Sequence, residues 1–296
     1  MIFTRGHRPA SRETEMSGFV LADFSPPALA QAVKTNLHNF FRYIARATPT
    51  ESLGDPELTR WHTQVPFPWF NGVLASRPPT NGDEETVQTA IAWFKARAVT
   101  RFTWWLTPTL PRTGWEKLLR AQGFQSSDGP PGMAVELHAL KEDGTRPGLH
   151  IAPVADEKTL QTWTRTFIFG YGLPPDWEKP LLKMMTGLGL DLPMRNYLGY
   201  LDGRPVATSN LFLSAGVAGV QFVATLPEAR GQGLGGAMSL MPLLEARQIG
   251  YHIGVLQSSA MGFPVYRRLG FQQVCQVEHY YWAEASASEA DGHRDH

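Results

Sequence analysis

The sequence contains a single cysteine, Cys275, among its 296 residues. One cysteine excludes an intramolecular disulfide framework and a zinc site built from several cysteines, and it is typical of a reducing compartment. Cys275 lies in the alternating stretch FQQVCQV, which favours a packed structural thiol over a nucleophile. Because the histidines have no close or helical spacing, no metal site is predicted.

An excess of one charge is also lacking, since Lys plus Arg and Asp plus Glu number 27 each. Without a basic field, neither nucleic acid nor an anionic membrane surface is a predicted partner. No apolar run approaches the roughly 20 residues that span a bilayer, and the first residues, MIFTRGHRPASRETEM, have no apolar signal-peptide core. We therefore expect a cytoplasmic protein, a monomer or homodimer, whose partner is a small molecule.

The chain is long enough for two domains of ordinary size. The polar run KEDGTRPG at 141–148 has the composition of a linker. We predict a disordered segment at 1–16, a first domain over 17–145, a second over 146–284 and a disordered tail at 285–296.

Hydrophobic periodicity predicts alternating helices and strands in both halves. The first half has predicted helices at 28–47, 84–98 and 114–124 and strands at 70–77, 101–106 and 132–140. The second half has predicted strands at 149–154, 217–225, 251–259 and 273–282, and helices from near Asp156, over 175–185, from the glycines to Gln248 and over 261–271. An Asp-Gly turn within 196–213 predicts a hairpin, and Pro242 predicts a bend near Met238.

The two halves share a weak repeat. LLRAQGFQ ends a short helix in the first half and YRRLGFQ ends one in the second, with Gly123 and Gly270 at matching places. Their separation is roughly 150 residues, the size of a domain. This indicates a tandem duplication, although glycine is common after helices and the match could arise by chance.

The stretch VATLPEARGQGLGG, residues 223–236, has four glycines within six positions after a strand-like run. A phosphate loop would end in Gly-Lys-Ser/Thr, and a dinucleotide fingerprint would space its glycines differently, so neither fits. Backbone amides at a glycine-rich helix start can bind pyrophosphate without lysine. The alternative is that these glycines only form a tight turn.

Two motifs resemble those of the GNAT superfamily of acyl-CoA-dependent N-acyltransferases. Residues 230–235, RGQGLG, match its Arg/Gln-x-x-Gly-x-Gly signature, and SSAMGFPVYRRLGF, residues 258–271, is similar to its second motif. The resemblance covers 149–283 well and the first half faintly. It implies an α/β (α+β) fold of two tandem GNAT-like domains, each a mixed, mostly antiparallel sheet flanked by helices.

The resemblance also implies acetyl-CoA as co-substrate. Its pantetheine arm would lie between the central strand and HIGVLQ, and its pyrophosphate on the glycine loop. Ser259 stands where many family members have asparagine, and Arg230 could equally be a solvated arginine. The predicted cofactor-binding residues are Val223, Ala224, Thr225, Arg230, Gly231, Gln232, Gly233, Leu234, Gly235, Gly236 and Ser259, with backbone amides near residues 223–225 as oxyanion donors.

Tyr266 is the predicted catalytic residue, a general acid that protonates the leaving sulfur; the alternative is a packing tyrosine. The central strand VAGVQFVAT has no acid, only Gln221, so we expect a base acting through water. Further possible pocket members are Asn210, Tyr171, Asp202, His279 and Glu278.

The first half lacks the glycine signature. Prolines and acids in SRPPTNGDEET occupy the corresponding region, and Leu119 stands in the place of Tyr266. We therefore predict one active and one degenerate domain. The predicted function is acetyl transfer to a primary amine of a small molecule by direct attack; the alternative is a non-catalytic acyl-CoA-binding regulatory module.

Overall fold

The computed structural model describes residues 19–48, 50–53, 55–140, 142 and 147–284. Its α-helices are α1 (Pro26–Ala45), α2 (Asp83–Lys95), α3 (Arg112–Ala121), α4 (Glu157–Tyr171), α5 (Glu178–Leu188), α6 (Leu234–Gln248) and α7 (Phe263–Leu269). Its strands are β1 (Thr50–Ser52), β2 (Leu58–His62), β3 (Asn71–Ala75), β4 (Arg101–Leu106), β5 (Gln125–Ser127), β6 (Pro131–Glu136), β7 (Leu149–Pro153), β8 (Met194–Leu201), β9 (Arg204–Ser214), β10 (Val217–Thr225), β11 (Ile253–Gln257), β12 (Gln272–Gln276) and β13 (His279–Ala283). The predicted disordered ends and most of the predicted linker lie outside the described residues.

Local chemistry explains several of these boundaries. Asp156 caps α4 by accepting a hydrogen bond from the amide of Thr159 at 2.8 Å, in a reciprocal capping box. Asp202 and Gly203 have φ angles of 50° and 77°, the left-handed pair that a two-residue hairpin turn requires between β8 and β9. Gly270, with φ of 105°, ends α7.

The strands form two sheets that exchange strands between the halves of the chain. The first sheet has the order β1-β2-β3-β4-β13-β5, and the second has β12-β6-β11-β10-β9-β8-β7. Strand β6 of the first half thus lies between two strands of the second, and β13 lies between two strands of the first. Each sheet contains one parallel pair, β3 with β4 and β10 with β11, and is otherwise antiparallel.

Helix α1 lies between the two sheets. It packs on strands β6 and β9 to β12, while the ring of Phe41 stacks on Trp105 of β4 at 4.4 Å. Helices α4 and α5 join α1 in one core, and α6 and α7 cover the opposite face of the second sheet. Helices α2 and α3 enclose a third core against the first sheet. The domain boundary predicted between residues 145 and 146 stays a prediction. The exchanged strands β6 and β13 pair with strands from the other side of this boundary.

The structure corrects several sequence-based expectations. The predicted strand at 273–282 is two strands, β12 and β13, which belong to different sheets. The predicted strand at 132–140 ends at Glu136 and continues as a 3-10 turn over Leu137–Ala139. Strands β1, β2 and β5 had no predicted counterpart.

Helix α6 is continuous through Pro242, and the bend near Met238 stays a prediction. No helix in the described part of the chain is both long enough and apolar enough to cross a bilayer.

Candidate functional site

The parallel strands β10 and β11 diverge at the centre of the second sheet. Their register pairs are Ala218 with Gly254 and Gly219 with Val255. Strand β10 then runs on to Thr225 and β11 to Gln257, without a further shared pair among the described residues. A backbone edge of β10 therefore faces a gap, as predicted, where an amide-bearing ligand could form strand-like hydrogen bonds.

Strand β10 carries a bulge at the start of this gap. Its register with β9 shifts between Gln221 and Ala224, and Phe222 has a φ of 53°, a conformation that costs a bulky residue roughly 1–3 kcal/mol. The Thr208 hydroxyl donates to the Phe222 carbonyl at 2.9 Å. Beyond the bulge, Ala224 and Thr225 pair again with β9, so Val223 lies within the irregular segment.

The glycine loop leads from β10 into α6. After a 3-10 turn over Pro227–Ala229, Gly231 and Gly233 adopt φ angles of 73° and 78°, which glycine permits without strain. The first α-helical bond joins the Ala237 amide to the Gly233 carbonyl at 3.2 Å. The amides of residues 234–236 precede that bond, and the N-cap residue Gly233 has no side chain that could cap them.

The space above the loop is open. Apart from its neighbours along the chain, a Cβ placed on Gly231, Gly233 or Gly235 would have no atom of the described residues within 4 Å. Gly235 also lacks a positive φ, so neither its backbone conformation nor its neighbours require glycine. Methyl groups added at these positions would fill this open space. Because the space lies beside the free amides of a helix start, it fits a diphosphate group. Leu234 is buried, so it would contribute through its amide.

Arg230 contacts protein backbone. Its guanidinium donates to the carbonyls of Thr225 at 3.2 Å and Gly170 at 2.8 Å. The helix and strand approach closely at Gly170, where a Cβ would lie 3.2 Å from the Thr225 amide nitrogen, tighter than an ordinary contact. Arg230 and Gly170 thus join the end of α4 to the end of β10 beside the gap. No pattern in the sequence indicated a role for Gly170.

Tyr266 lies on α7 with its side chain 8% exposed. Burial raises the pKa of Tyr266 to about 12. A hydrogen bond with the Ser239 hydroxyl of α6 acts in the opposite direction and lowers this pKa, but its effect is smaller. The phenol is therefore protonated at neutral pH and able to donate a proton. The Tyr266 ring leaves no room for a side chain at position 262, where a Cβ would lie 2.8 Å from its Cε2 atom.

Ser259 and Gln232 complete the set of predicted cofactor residues. The Ser259 hydroxyl accepts a hydrogen bond from the Gly262 amide at 3.1 Å, so it shapes the turn that leads to α7. Gln232 lies in the glycine loop between its two left-handed glycines. A direct contact of either residue with a ligand stays a prediction.

The possible pocket members do not come together. Tyr171 is close enough to Tyr266 to influence its pKa, and Asn210 lies on the face of the second sheet next to Gln221. Asp202 forms the distant β8–β9 turn, while Glu278 pairs with Arg112 and His279 belongs to the first sheet. Within the described ranges, no three His, Cys, Asp or Glu side chains cluster as metal ligands would.

Gln257, at the end of β11, is a residue that the sequence-based analysis did not select. The Gln221 side-chain nitrogen donates to the Gln257 side-chain oxygen at 3.1 Å, so this pair spans the gap between β10 and β11. No acid lies on either strand. The half-buried Cys275 thiol has a pKa raised by its partial removal from water, which makes it a poor nucleophile.

The equivalent site in the first half is closed. Strands β3 and β4 keep their register as far as Ala75 with Leu106, so they do not diverge as β10 and β11 do. At the start of α2, the Asp83 carboxylate accepts from the Thr80 amide at 2.6 Å and pairs with Arg77 at 2.7 Å. The hydrogen bond from Arg77 lowers the pKa of Asp83, so a charged carboxylate occupies the anion-binding end of this helix.

Comparison with known proteins identifies the fold. Over 86% of this chain and 96% of the other, the chain is similar to a GCN5-related N-acetyltransferase from Kribbella flavida, with a TM-score of 0.61 and 19% identity. It is similar to a tandem GNAT protein of the clavulanic acid biosynthesis pathway over 90% of this chain and 97% of the other, with a TM-score of 0.51 and 14% identity. It is also similar to a GCN5-related N-acetyltransferase from Sphaerobacter thermophilus over 77% of this chain and 76% of the other, with a TM-score of 0.52 and 16% identity.

No family sequence model and no curated protein sequence matches the chain. At these identities the likeness concerns the fold, which is that of the tandem GNAT proteins, with two mixed, mostly antiparallel sheets flanked by helices.

Proposed function

We propose that the protein is an N-acetyltransferase that moves the acetyl group of acetyl-CoA to a primary amine of a small molecule by direct attack. The observation that carries this proposal is the gap between β10 and β11 lying immediately before the uncapped, glycine-lined start of α6. One end of this continuous surface suits amides and the other suits a diphosphate. Acetyl-CoA would supply an activated acyl thioester.

Different groups of the chain would act at different points of the reaction. Backbone amides near the bulge at 222–225 would stabilise negative charge that develops on the thioester oxygen. As the amine nitrogen bonds to the carbonyl carbon and the carbon–sulfur bond breaks, the Tyr266 hydroxyl gives its proton to the sulfur. The proton lost by the amine passes to water, because β10 and β11 carry no acid.

The test is a thiol-release assay with acetyl-CoA and a panel of amines. Tyr266→Phe should lower kcat by about 100-fold or more, the usual contribution of a general acid, while acetyl-CoA still binds in calorimetry. Tyr200→Phe, on β8, is the matched control and should keep full turnover. If Tyr266→Phe turns over normally, the proposed role of this tyrosine is wrong.

The lack of an acid on the central strands favours a second candidate, a module that binds acyl-CoA and regulates a partner without chemistry. The two functions differ in one measurement. Tight acetyl-CoA binding without thiol release on a broad amine library would support the module, and measurable turnover would eliminate it.

A further inference from the structure

The middle of the second sheet is partly open where β10 and β11 diverge, and this opening is called the cleft below. A central strand covered by helices on both faces is normally buried, yet Gln221, Phe222 and Val223 of β10 are partly exposed. Gln257 on the neighbouring β11 is partly exposed as well. These four residues lie where β10 and β11 diverge, so a molecule that enters the cleft meets their side chains or backbone.

The sheet face at this cleft is neutral and amide-rich, with Gln221 and Gln257 partly exposed and Asn196 and Asn210 buried behind them. Asn196 of β8, Asn210 of β9 and Gln221 of β10 are in register, so they form a row on one face of the sheet that Gln257 extends. The Asn210 side chain donates to Asn196 at 2.8 Å, and Gln221 donates to Gln257 at 3.1 Å. No aspartate or glutamate occurs on β8 to β11.

The wall of the cleft is aromatic and comes from both halves of the chain. The Phe222 ring contacts four other rings edge-on: Phe40 at 5.5 Å, Phe70 at 5.9 Å, Trp163 at 5.5 Å and Phe167 at 5.1 Å. Those four are at most 5% exposed, so they pack against one another rather than forming an open cage for a cation. Phe222 alone of the five offers partly exposed apolar surface.

This neutral sheet face and aromatic wall select the chemistry of the acceptor, an inference that rests on the proposed function. An alkyl amine is a cation at neutral pH and would lose its water in the cleft without gaining a carboxylate partner on the sheet. An aromatic amine is already uncharged at that pH. Its ring can pack on Phe222, and its N–H groups can donate to a side-chain oxygen of the Gln221–Gln257 pair.

We propose that the acceptor is a flat aromatic amine that is uncharged at neutral pH and packs on Phe222. Phe70 of the first half, whose ring contacts Phe222 edge-on, is a positioning residue for that ring. In the reaction the aryl nitrogen bonds to the acetyl carbon and the carbon–sulfur bond breaks. The sulfur takes the Tyr266 proton, and the nitrogen releases one proton to water. The products are an N-aryl acetamide and free CoA.

The test compares aniline with benzylamine and n-hexylamine, using the full chain, acetyl-CoA and thiol release at neutral pH. We expect kcat/KM for aniline to exceed that for either alkyl amine by about tenfold or more, a discrimination that a shaped pocket can supply. Phe70→Leu should reduce this ratio several-fold without changing acetyl-CoA affinity. Phe124→Leu, a matched change in the separate core of the first half, should leave the ratio unchanged.

The possible failures are distinguishable. If acetyl-CoA binds and benzylamine or hexylamine is used as well as aniline, the inference on the acceptor is overturned while the proposed function stands. If acetyl-CoA does not bind, both are overturned. If Phe70→Leu and Phe124→Leu alter the ratio equally, the positioning role of Phe70 is overturned.

Discussion

Individual glycines in the loop of residues 231–236 have different reasons for being glycine. Gly231 and Gly233 need a positive φ to turn the chain into α6. Gly235 lies in the first turn of the helix without a positive φ and with open space around it. Since glycine inside a helix costs up to about 1 kcal/mol relative to alanine, its presence points to a ligand that approaches the backbone there.

Gly235→Ala should therefore separate stability from binding. The added methyl should leave the protein as stable as before or more stable by up to about 1 kcal/mol, yet weaken acetyl-CoA binding by about tenfold or more, because the methyl would occupy the space of a phosphate oxygen. Thermal unfolding and calorimetry measure the two effects. Gly187→Ala within α5 is the control, since a Cβ there makes only ordinary contacts with Ala47. Unchanged acetyl-CoA affinity in Gly235→Ala would contradict the proposal that the glycine loop binds the diphosphate.

At the scale of secondary structure, the sequence was most informative where local chemistry decides the conformation. The start of α4 at its Asp156 cap, the Asp202-Gly203 hairpin and the end of α7 at Gly270 follow from one or two residues each. The bulge at Phe222 was not predicted, because a phenylalanine in an apolar run normally continues a strand. At the bulge Phe222 packs against rings of distant elements, and hydrophobic periodicity does not encode such contacts.

The matching elements of the two halves differ in the features that would bind acetyl-CoA. In the first half β3 and β4 stay paired, and α2 begins with Asp83, Glu84 and Glu85. In the second, β10 and β11 diverge and α6 begins with glycines and no acid. Negative charge at a helix start repels phosphate.

We therefore expect one acetyl-CoA per chain. Calorimetry should give a stoichiometry near one, and hydrogen exchange should show added protection at residues 221–236 on binding. The amides of β3, β4 and the start of α2 should exchange unchanged, and they provide an internal control. A stoichiometry of two, or protection at the start of α2, would show that the first half also binds the ligand.

Over the whole molecule, the sequence could not reveal that the halves exchange strands. The residues of β6 and β13 favour a strand, but they do not specify the sheet that the strand joins. The run QVCQVEHYYW looks like one strand, yet the chain crosses between sheets around Glu278. The two-domain fold was predictable from its repeat, whereas the exchange depends on strand pairing between distant residues, which the repeat does not encode.

The exchange makes the folding of the first half depend on the last described residues of the chain. Strand β13 pairs with β4 on one side and β5 on the other, and its Tyr280 and Trp282 are buried in the core of the first sheet. A chain that ends at Glu278 should lose this strand and expose two sheet edges. Its first sheet should become sensitive to proteolysis between residues 50 and 127, although no residue of that region has changed. A chain that ends at Glu284 keeps β13 whole and serves as the control. Loss of two buried aromatic side chains and two backbone ladders should open the sheet locally. If the shorter chain resisted proteolysis in this region to the same extent as the longer chain, β13 would not be an integral strand of the first sheet.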